Sequence, residues 1–326
     1  MTATPTEKTY IVRPFEGTDE QYQIINDIFN ACFPDYAHPV SMMKHEDATR
    51  SKKFPFKREL IEQDGKVIAY GEYRQDEWAY HPQKFGWRVC NYPDYDIHPL
   101  SEMYQARVIE QLKDKNLIGL TASAREDQPN RLDFLKAHDY QFKMRYPESH
   151  VDMSVFDASR FTEKVQRVTD SGIEIITAKQ LSEEKPDEWH SILHELSWLI
   201  MQDIPLPDPP QKKSLEEYIE ASFGHPAFLP DSYFIARDGD AYVGTSTLWK
   251  DAGKPERLWT GLTGVTRSHR RRGIATAIKV TALSHAKQLG IKFVQTDNEE
   301  NNPMFQLNLE LGFTPLPAWI DFEKAL

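Results

Sequence analysis

A chain of 326 residues, 40% hydrophobic and 27% charged, is long enough for two globular domains of roughly 150 residues each. Its formal net charge of −11 argues against a bulk nucleic-acid binder, and no apolar run approaches the roughly 20 residues that cross a bilayer. Two cysteines, Cys32 and Cys90, are too few for a disulfide framework and lack metal-site or redox spacing, so free buried thiols are expected. The start, MTATPTEKTYIVRP, has no basic segment followed by an apolar one, so no secretion signal is expected and a cytoplasmic location is.

In chain order, RELIEQDGKVIAYGEY (Arg58 to Tyr73) reads as two strands joined by an Asp-Gly turn. GWRVCNYPDYDIHP then runs into DIHPLSEMYQARVIEQL, and DFLKAHDYQF (Asp133 to Phe142) closes the half. The weakly patterned segment Asp157 to Ser171 is read as a linker. After it come a strand at Ile173 to Ala178 and a helix around Glu188 to Met201, with Trp189, Ile192, Leu193 and Leu196 at helical spacing. Four prolines between Asp203 and Pro210 forbid helix and central strand, and SLEEYIEAS starts a short helix at Ser214. A second Asp-Gly hairpin spans Tyr233 to Trp249, followed by a strand (Leu258 to Thr266), a helix from about Arg272 to Gln288, a strand (Lys292 to Glu299) and a helix (Asn302 to Gly312).

The halves echo one another. Gly71 and Gly244 are 173 residues apart in matching hairpins, and Tyr140 and Phe313 are 173 apart at matching helix ends. A tandem duplication follows, with domains at 1–157 and 171–326, each a mixed α/β fold with a mostly antiparallel sheet and one parallel crossover.

The segment GVTRSHRRRGIATAIK concentrates positive charge in an acidic chain. Between a strand and a helix, free backbone N–H groups and the positive helix end suit an anion, arginines add forked donors, and Gly273 lets a ligand approach the backbone. It is neither a Walker loop nor a dinucleotide fingerprint.

These residues resemble the GCN5-related N-acetyltransferases, whose signature Arg/Gln-x-x-Gly-x-Gly/Ala reads here Arg270-Arg271-Arg272-Gly273-Ile274-Ala275. TDNEENNPMFQLNLELGF is similar to the family's later motif, through Thr296, Asn298, Asn301, Met304, Asn308 and Leu311-Gly312-Phe313. The resemblance implies two tandem acyl-CoA N-acyltransferase-like domains and acetyl transfer from acetyl-CoA to a primary amine of a small molecule or peptide, by direct attack, with no metal, nucleic acid or membrane partner. It implies that Thr263, Gly264 and Val265 bond to the pantetheine arm, that Arg270 to Thr276 hold the pyrophosphate, and that Asn301 lines the groove. In the first half, Leu100 to Gln105 lack both arginine and glycine, so that half is expected not to bind cofactor.

The sequence departs from the family at the catalytic positions. No acid lies between Leu258 and Val265, and Asn308 stands where the family's tyrosine acid would fall. Asn308 can bond to a thiolate but is no proton donor. Asp203 is the first candidate base, with Glu195, Asp251 and Glu256 behind it; His269 and His285 read as surface residues and Trp249 and Trp259 as core. The alternative is a non-catalytic CoA-binding regulator or a scaffold.

Overall fold

The computed structural model describes residues 9–326 except 78. Its elements run β1 (Ile11–Pro14), α1 (Asp19–Cys32), α2 (Val40–Thr49), β2 (Phe56–Gln63), β3 (Lys66–Arg74), β4 (Lys84–Asn91), α3 (Ile97–Leu112), β5 (Gly119–Arg125), α4 (Pro129–Ala137), β6 (Gln141–Tyr146) and β7 (Glu148–Asp152). Then follow α5 (Thr162–Asp170), β8 (Ile173–Thr177), α6 (Ala178–Glu184), α7 (Trp189–Met201), α8 (Leu215–Ser222), β9 (Tyr233–Asp238) and β10 (Ala241–Lys250). The chain ends with β11 (Arg257–Val265), α9 (Ile274–Gln288), β12 (Phe293–Asp297), α10 (Pro303–Glu310), β13 (Thr314–Pro315) and β14 (Trp319–Ala325). Among the described residues no helix is long and apolar enough to cross a membrane.

Two compact units emerge, residues 1–144 with 320–326, and residues 145–319. In the first, the sheet order is β1-β2-β3-β4-β5-β14-β6, antiparallel through β4 and parallel at β4–β5. Asp64 takes φ 53 in the β2–β3 turn, the left-handed backbone that an Asp-Gly pair supplies at low cost. Its core gathers Ile68, Phe85, Val89, Leu100, Tyr104, Val108 and Phe134.

In the second unit the order is β8-β9-β10-β11-β12-β7-β13, antiparallel except for β11–β12. One face of this sheet buries Val265, Ile274, Ile278, Val294 and Phe313 around α9. The other is covered by Leu193, Leu196 and Ile200 of α7 and Leu181 of α6. The hairpins, the α9 and α10 helices and the single parallel step agree with the sequence reading.

Two features differ from it. The expected domains 1–157 and 171–326 place β7 in the first half and β14 in the second. Instead, β7 pairs with β12 and β13 in the second unit's sheet, while β14 lies between β5 and β6 in the first. The expected linker is the helix α5 preceded by a short turn, whose Phe161, Val165 and Val168 recur at helical spacing and join the second unit's core. Polar neighbours between those three residues hide the stripe from a reading of average polarity.

Candidate active site

The site is built where β11 leaves β12. Their parallel pairing covers only Arg257–Phe293, Leu258–Val294 and Trp259–Gln295, although β11 continues to Val265 and β12 to Asp297. A bulge contributes: on β10 the register passes from Ser246 to Leu248 while on β11 it passes from Thr263 to Thr260, leaving an extra residue in β11. Beyond Trp259 the peptides of β11 on this side have no strand neighbour among the described residues, so Thr263, Gly264 and Val265 line a slot that a ligand can enter as a false strand. Gly264 meets α7 closely; a Cβ there would lie 2.3 Å from Ile200 Cγ2.

Beyond the slot, Arg271 (φ 64) and Gly273 (φ 83) both take left-handed backbone and throw the chain into α9. Gly273 is the N-cap and no side chain bonds to the first turn of α9, whereas Thr177, Ser214 and Asn302 cap α6, α8 and α10. The amides of Ile274, Ala275 and Thr276 therefore open outward at the positive end of a 15-residue helix. The arginines around them differ in duty. Arg270 Nε donates to the Val265 carbonyl at 3.0 Å and fixes the turn. Arg272 pairs with Asp238 at 3.0 Å. Arg271 has no ion-pair partner among the described residues and is exposed.

Asp203 lies across this turn. Its carboxylate accepts from Arg267 Nε at 2.9 and 3.0 Å and also pairs with Arg270. The Arg267 hydrogen bond, with that of Arg270, holds its carboxyl down to about 2. So firm an anion is a poor proton acceptor near neutral pH. Its geometry is that of a countercharge to the arginine turn. Of the other candidates, Glu195 pairs with Lys212, and Asp251 binds Arg257 and accepts from Trp259 Nε1 at 2.8 Å.

Asn308 is fully buried on α10 and donates through Nδ2 to Asn298 Oδ1 at 2.6 Å, while its own Oδ1 has no hydrogen-bond partner among the described residues. The two family-like asparagines thus form one unit between β12 and α10. Asn301 is exposed and is tied to Glu299 through both its backbone and its side-chain nitrogen, at 2.9 and 2.8 Å.

Asp297 was not singled out by sequence reasoning. It ends β12 beside the slot, alternating with Val294 and Thr296 so that it shares the sheet face of Gln295, opposite α9. Its side chain stays open to solvent, yet the surrounding protein desolvates the carboxylate and pushes its pKa up. No signal in the sequence marked it, because the splay of β11 from β12 shows only in the assembled sheet. Lys279 is a second such residue. It is buried on α9, its Nζ 5.3 Å from the Phe313 ring, and burial pulls its amine down to about 7.

The first unit repeats the frame, splay included, since β4 pairs with β5 only from Lys84 to Gly86 although it continues to Asn91, but its helix entry is closed. A Cβ on Gly71 would lie 2.4 Å from the Tyr104 ring of α3, and one on Gly244 would lie 3.0 Å from Ile278 of α9, so the two helices dock alike. Leu100, Tyr104, Val108 and Leu112 are buried as are Ile274, Ile278, Ala282 and Ala286. On that alignment α3 begins one turn earlier, through the positions where α9 has Arg271 to Gly273, and Asp96 caps it by accepting from His98 N at 3.0 Å. An acidic cap replaces the anion cradle. The carbonyl of Val89, which pairs with Gly71 as Val265 does with Gly244, accepts Arg131 Nη1 at 2.6 Å.

Residues 193–313 match the family model described as the acetyltransferase (GNAT) family. A search of curated proteins by sequence returns no match. Among solved structures, a tandem GNAT protein from the clavulanic acid biosynthesis pathway is 16% identical with a TM-score of 0.73, over 97% of this chain and 98% of that one. A GCN5-related N-acetyltransferase from Sphaerobacter thermophilus is 15% identical with a TM-score of 0.65, over 97% and 95%. A glucosamine N-acetyltransferase region of a fungal multi-domain GH3 β-N-acetylglucosaminidase is 14% identical with a TM-score of 0.71, over 98% of this chain and 38% of that one. Residues 193–313 thus match the acetyltransferase (GNAT) family, within a chain whose fold is similar to that of a tandem GNAT protein.

Proposed function

We propose that the second unit binds acetyl-CoA and transfers its acetyl group directly to a primary amine, while the first unit binds no cofactor. The observation that carries this is the uncapped, left-handed entry to α9 at the end of β11, where the corresponding entry to α3 is closed by the acidic cap Asp96; the splay of the strands recurs in both units and does not distinguish them. In this reading the amides of Ile274, Ala275 and Thr276 and the side chain of Arg271 hold the diphosphate, assisted by Arg270 and Arg272. The peptides of Thr263 to Val265 hold the pantetheine arm, and Asn301 lines the groove. Bound acetyl-CoA supplies an acetyl group activated as a thioester.

The chain's own groups then have separable duties. An amine must be neutral to attack, and Asp297, with its raised pKa and its place on the face opposite α9, is our proposed proton acceptor. Asp203 is assigned to the charge balance of the cradle rather than to proton transfer. Asn308 and Asn298 offer a part-buried amide pair to the sulfur end of the slot. Asparagine polarises and does not protonate, so the leaving thiolate takes its proton from solvent.

The test is a screen of small-molecule and peptide amines, read as thiol released from acetyl-CoA, alongside calorimetric titration with acetyl-CoA. Binding together with thiol release is expected. Binding without release from any amine would leave a CoA-binding regulator, and no binding would remove the reading altogether.

A further inference from the structure

The first unit's two cysteines form a polar cluster for which acetyl transfer has no use. Cys32 ends α1 and is half-buried, whereas Cys90 on β4 is fully buried. The two sulfurs lie close enough to shift one another's titration, although they are remote in sequence. Arg131 of α4 brings Nη2 to 2.9 Å from Cys32 Sγ, so a guanidinium donor stands at that sulfur and stabilises its ionised form. That guanidinium is held by three further partners: the Val89 carbonyl at 2.6 Å, Asn91 Oδ1 at 3.3 Å and the Phe33 ring at 5.5 Å.

We infer that Cys32 is a reactive thiolate and Cys90 its resolving partner, so that the first unit carries a reversible oxidation site for small hydroperoxides. Electrostatics support the division of labour. The neighbouring Cys90 thiol, then Arg131 and Arg88, bring Cys32 down to about 6 against its desolvation, whereas burial pushes the Cys90 thiol up. The negative end of α1 opposes a thiolate at Cys32, and the Arg131 guanidinium, with a smaller share from Arg88, outweighs it. The charged groups facing the pair are Arg88 of β4, itself paired with the buried Glu72 at 2.7 Å, and Arg131 of α4, with the neutral Tyr70 phenol on the Cys90 side; Arg131 is thus the cation left to the sulfur.

The chemistry balances with the hydroperoxide as oxidant. Cys32 sulfur attacks one peroxide oxygen, an S–O bond forms, the O–O bond breaks, and the alkoxide takes a proton from solvent and leaves as alcohol. Cys90 sulfur then attacks the sulfenic acid, the S–S bond forms, and hydroxide leaves with the Cys90 proton as water. The two thiols lose two electrons and the hydroperoxide gains them.

At neutral pH a thiol with a pKa of about 6 is mostly thiolate, against about 3% for an ordinary cysteine; lower intrinsic nucleophilicity offsets about tenfold of that gain. A net advantage of about threefold over free cysteine is expected. The test is intact-mass and peptide mapping of the full chain treated with tert-butyl hydroperoxide. We expect an intramolecular Cys32–Cys90 link that dithiothreitol reverses. In Cys90→Ser, dimedone should trap a sulfenic acid on Cys32; in Cys32→Ser, Cys90 should stay reduced. Retention of both thiols in wild-type protein under excess oxidant, or modification of Cys90 first, would overturn the inference. Because the readout is a mass and not acetyl transfer, it stands apart from the function of the second unit.

Discussion

Asp203 and Arg267 form a two-oxygen ion pair, with Nε at 2.9 and 3.0 Å from the two carboxylate oxygens, and Arg270 closes on the same carboxylate. An internal anion thus sits against the arginines proposed to meet a diphosphate. Arg267 is 75% exposed, so the pair is worth at most about 1 kcal/mol to stability. Its greater consequence is competition. Asp203→Asn should leave the melting temperature almost unchanged and tighten acetyl-CoA binding by roughly fivefold, the equivalent of about 1 kcal/mol. The salt dependence of binding should steepen as well. Calorimetry in two salt concentrations decides this; weaker binding in Asp203→Asn would mean that the pair preorganises the turn instead.

Asp297 predicts an opposition between stability and activity. A carboxyl raised in the folded state binds protons that the unfolded chain has released, so its contribution to stability falls as pH rises from about 4 through the folded value. Asp297→Asn should therefore be more thermally stable than wild type at pH 7 and not at pH 3, while kcat with an amine acceptor drops roughly 100-fold or more. Thermal melts at the two pH values and steady-state rates would show it. An unchanged kcat assigns the proton to another group.

Lys279 carries the reverse sign. Its amine is depressed to about 7, so the unfolded chain binds more protons between that value and about 10.4, and stability rises with pH at up to about 1.4 kcal/mol per unit. Lys279→Met, similar in length and without the charge, should flatten that slope and stabilise the protein most at pH 6. Denaturant unfolding at pH 6 and pH 9 measures both.

The exchange of β7 and β14 predicts which fragments fold. Residues 171–326 lack β7, which stands between β12 and β13, and would expose the edges of both. Residues 145–319 contain every strand of the second sheet. The longer-starting fragment should be soluble, show a cooperative melt and bind acetyl-CoA, whereas 171–326 should aggregate. Gel filtration and a cofactor titration of the two fragments distinguish them.

What was legible in the sequence was local. The Asp64-Gly65 and Asp238-Gly239 turns announce their hairpins through backbone preference alone, and the run from Val265 to Ala275 announces a strand, an anion turn and a helix within eleven residues. Strand choice is not local. Nothing in ESHVD says that it pairs with FVQTD rather than with its neighbour QFKMRY, because both present the same alternation. Asp203 and Asp297 are likewise a matter of assembly. The first becomes a poor base only when Arg267 and Arg270 reach it, and the second becomes a plausible one only when β11 turns away from β12.

The claim that one unit binds cofactor and the other does not is tested most directly by titrating the full chain and Gly273→Val with acetyl-CoA in a calorimeter. Gly273 holds φ 83, and a Cβ there would come 3.3 Å from Val168 Cγ2, so a β-branched side chain must distort the entry to α9. The account predicts one site per chain in the wild type and none in the variant, with the variant still folded by circular dichroism. Two sites per chain, or unchanged affinity in Gly273→Val, would contradict it.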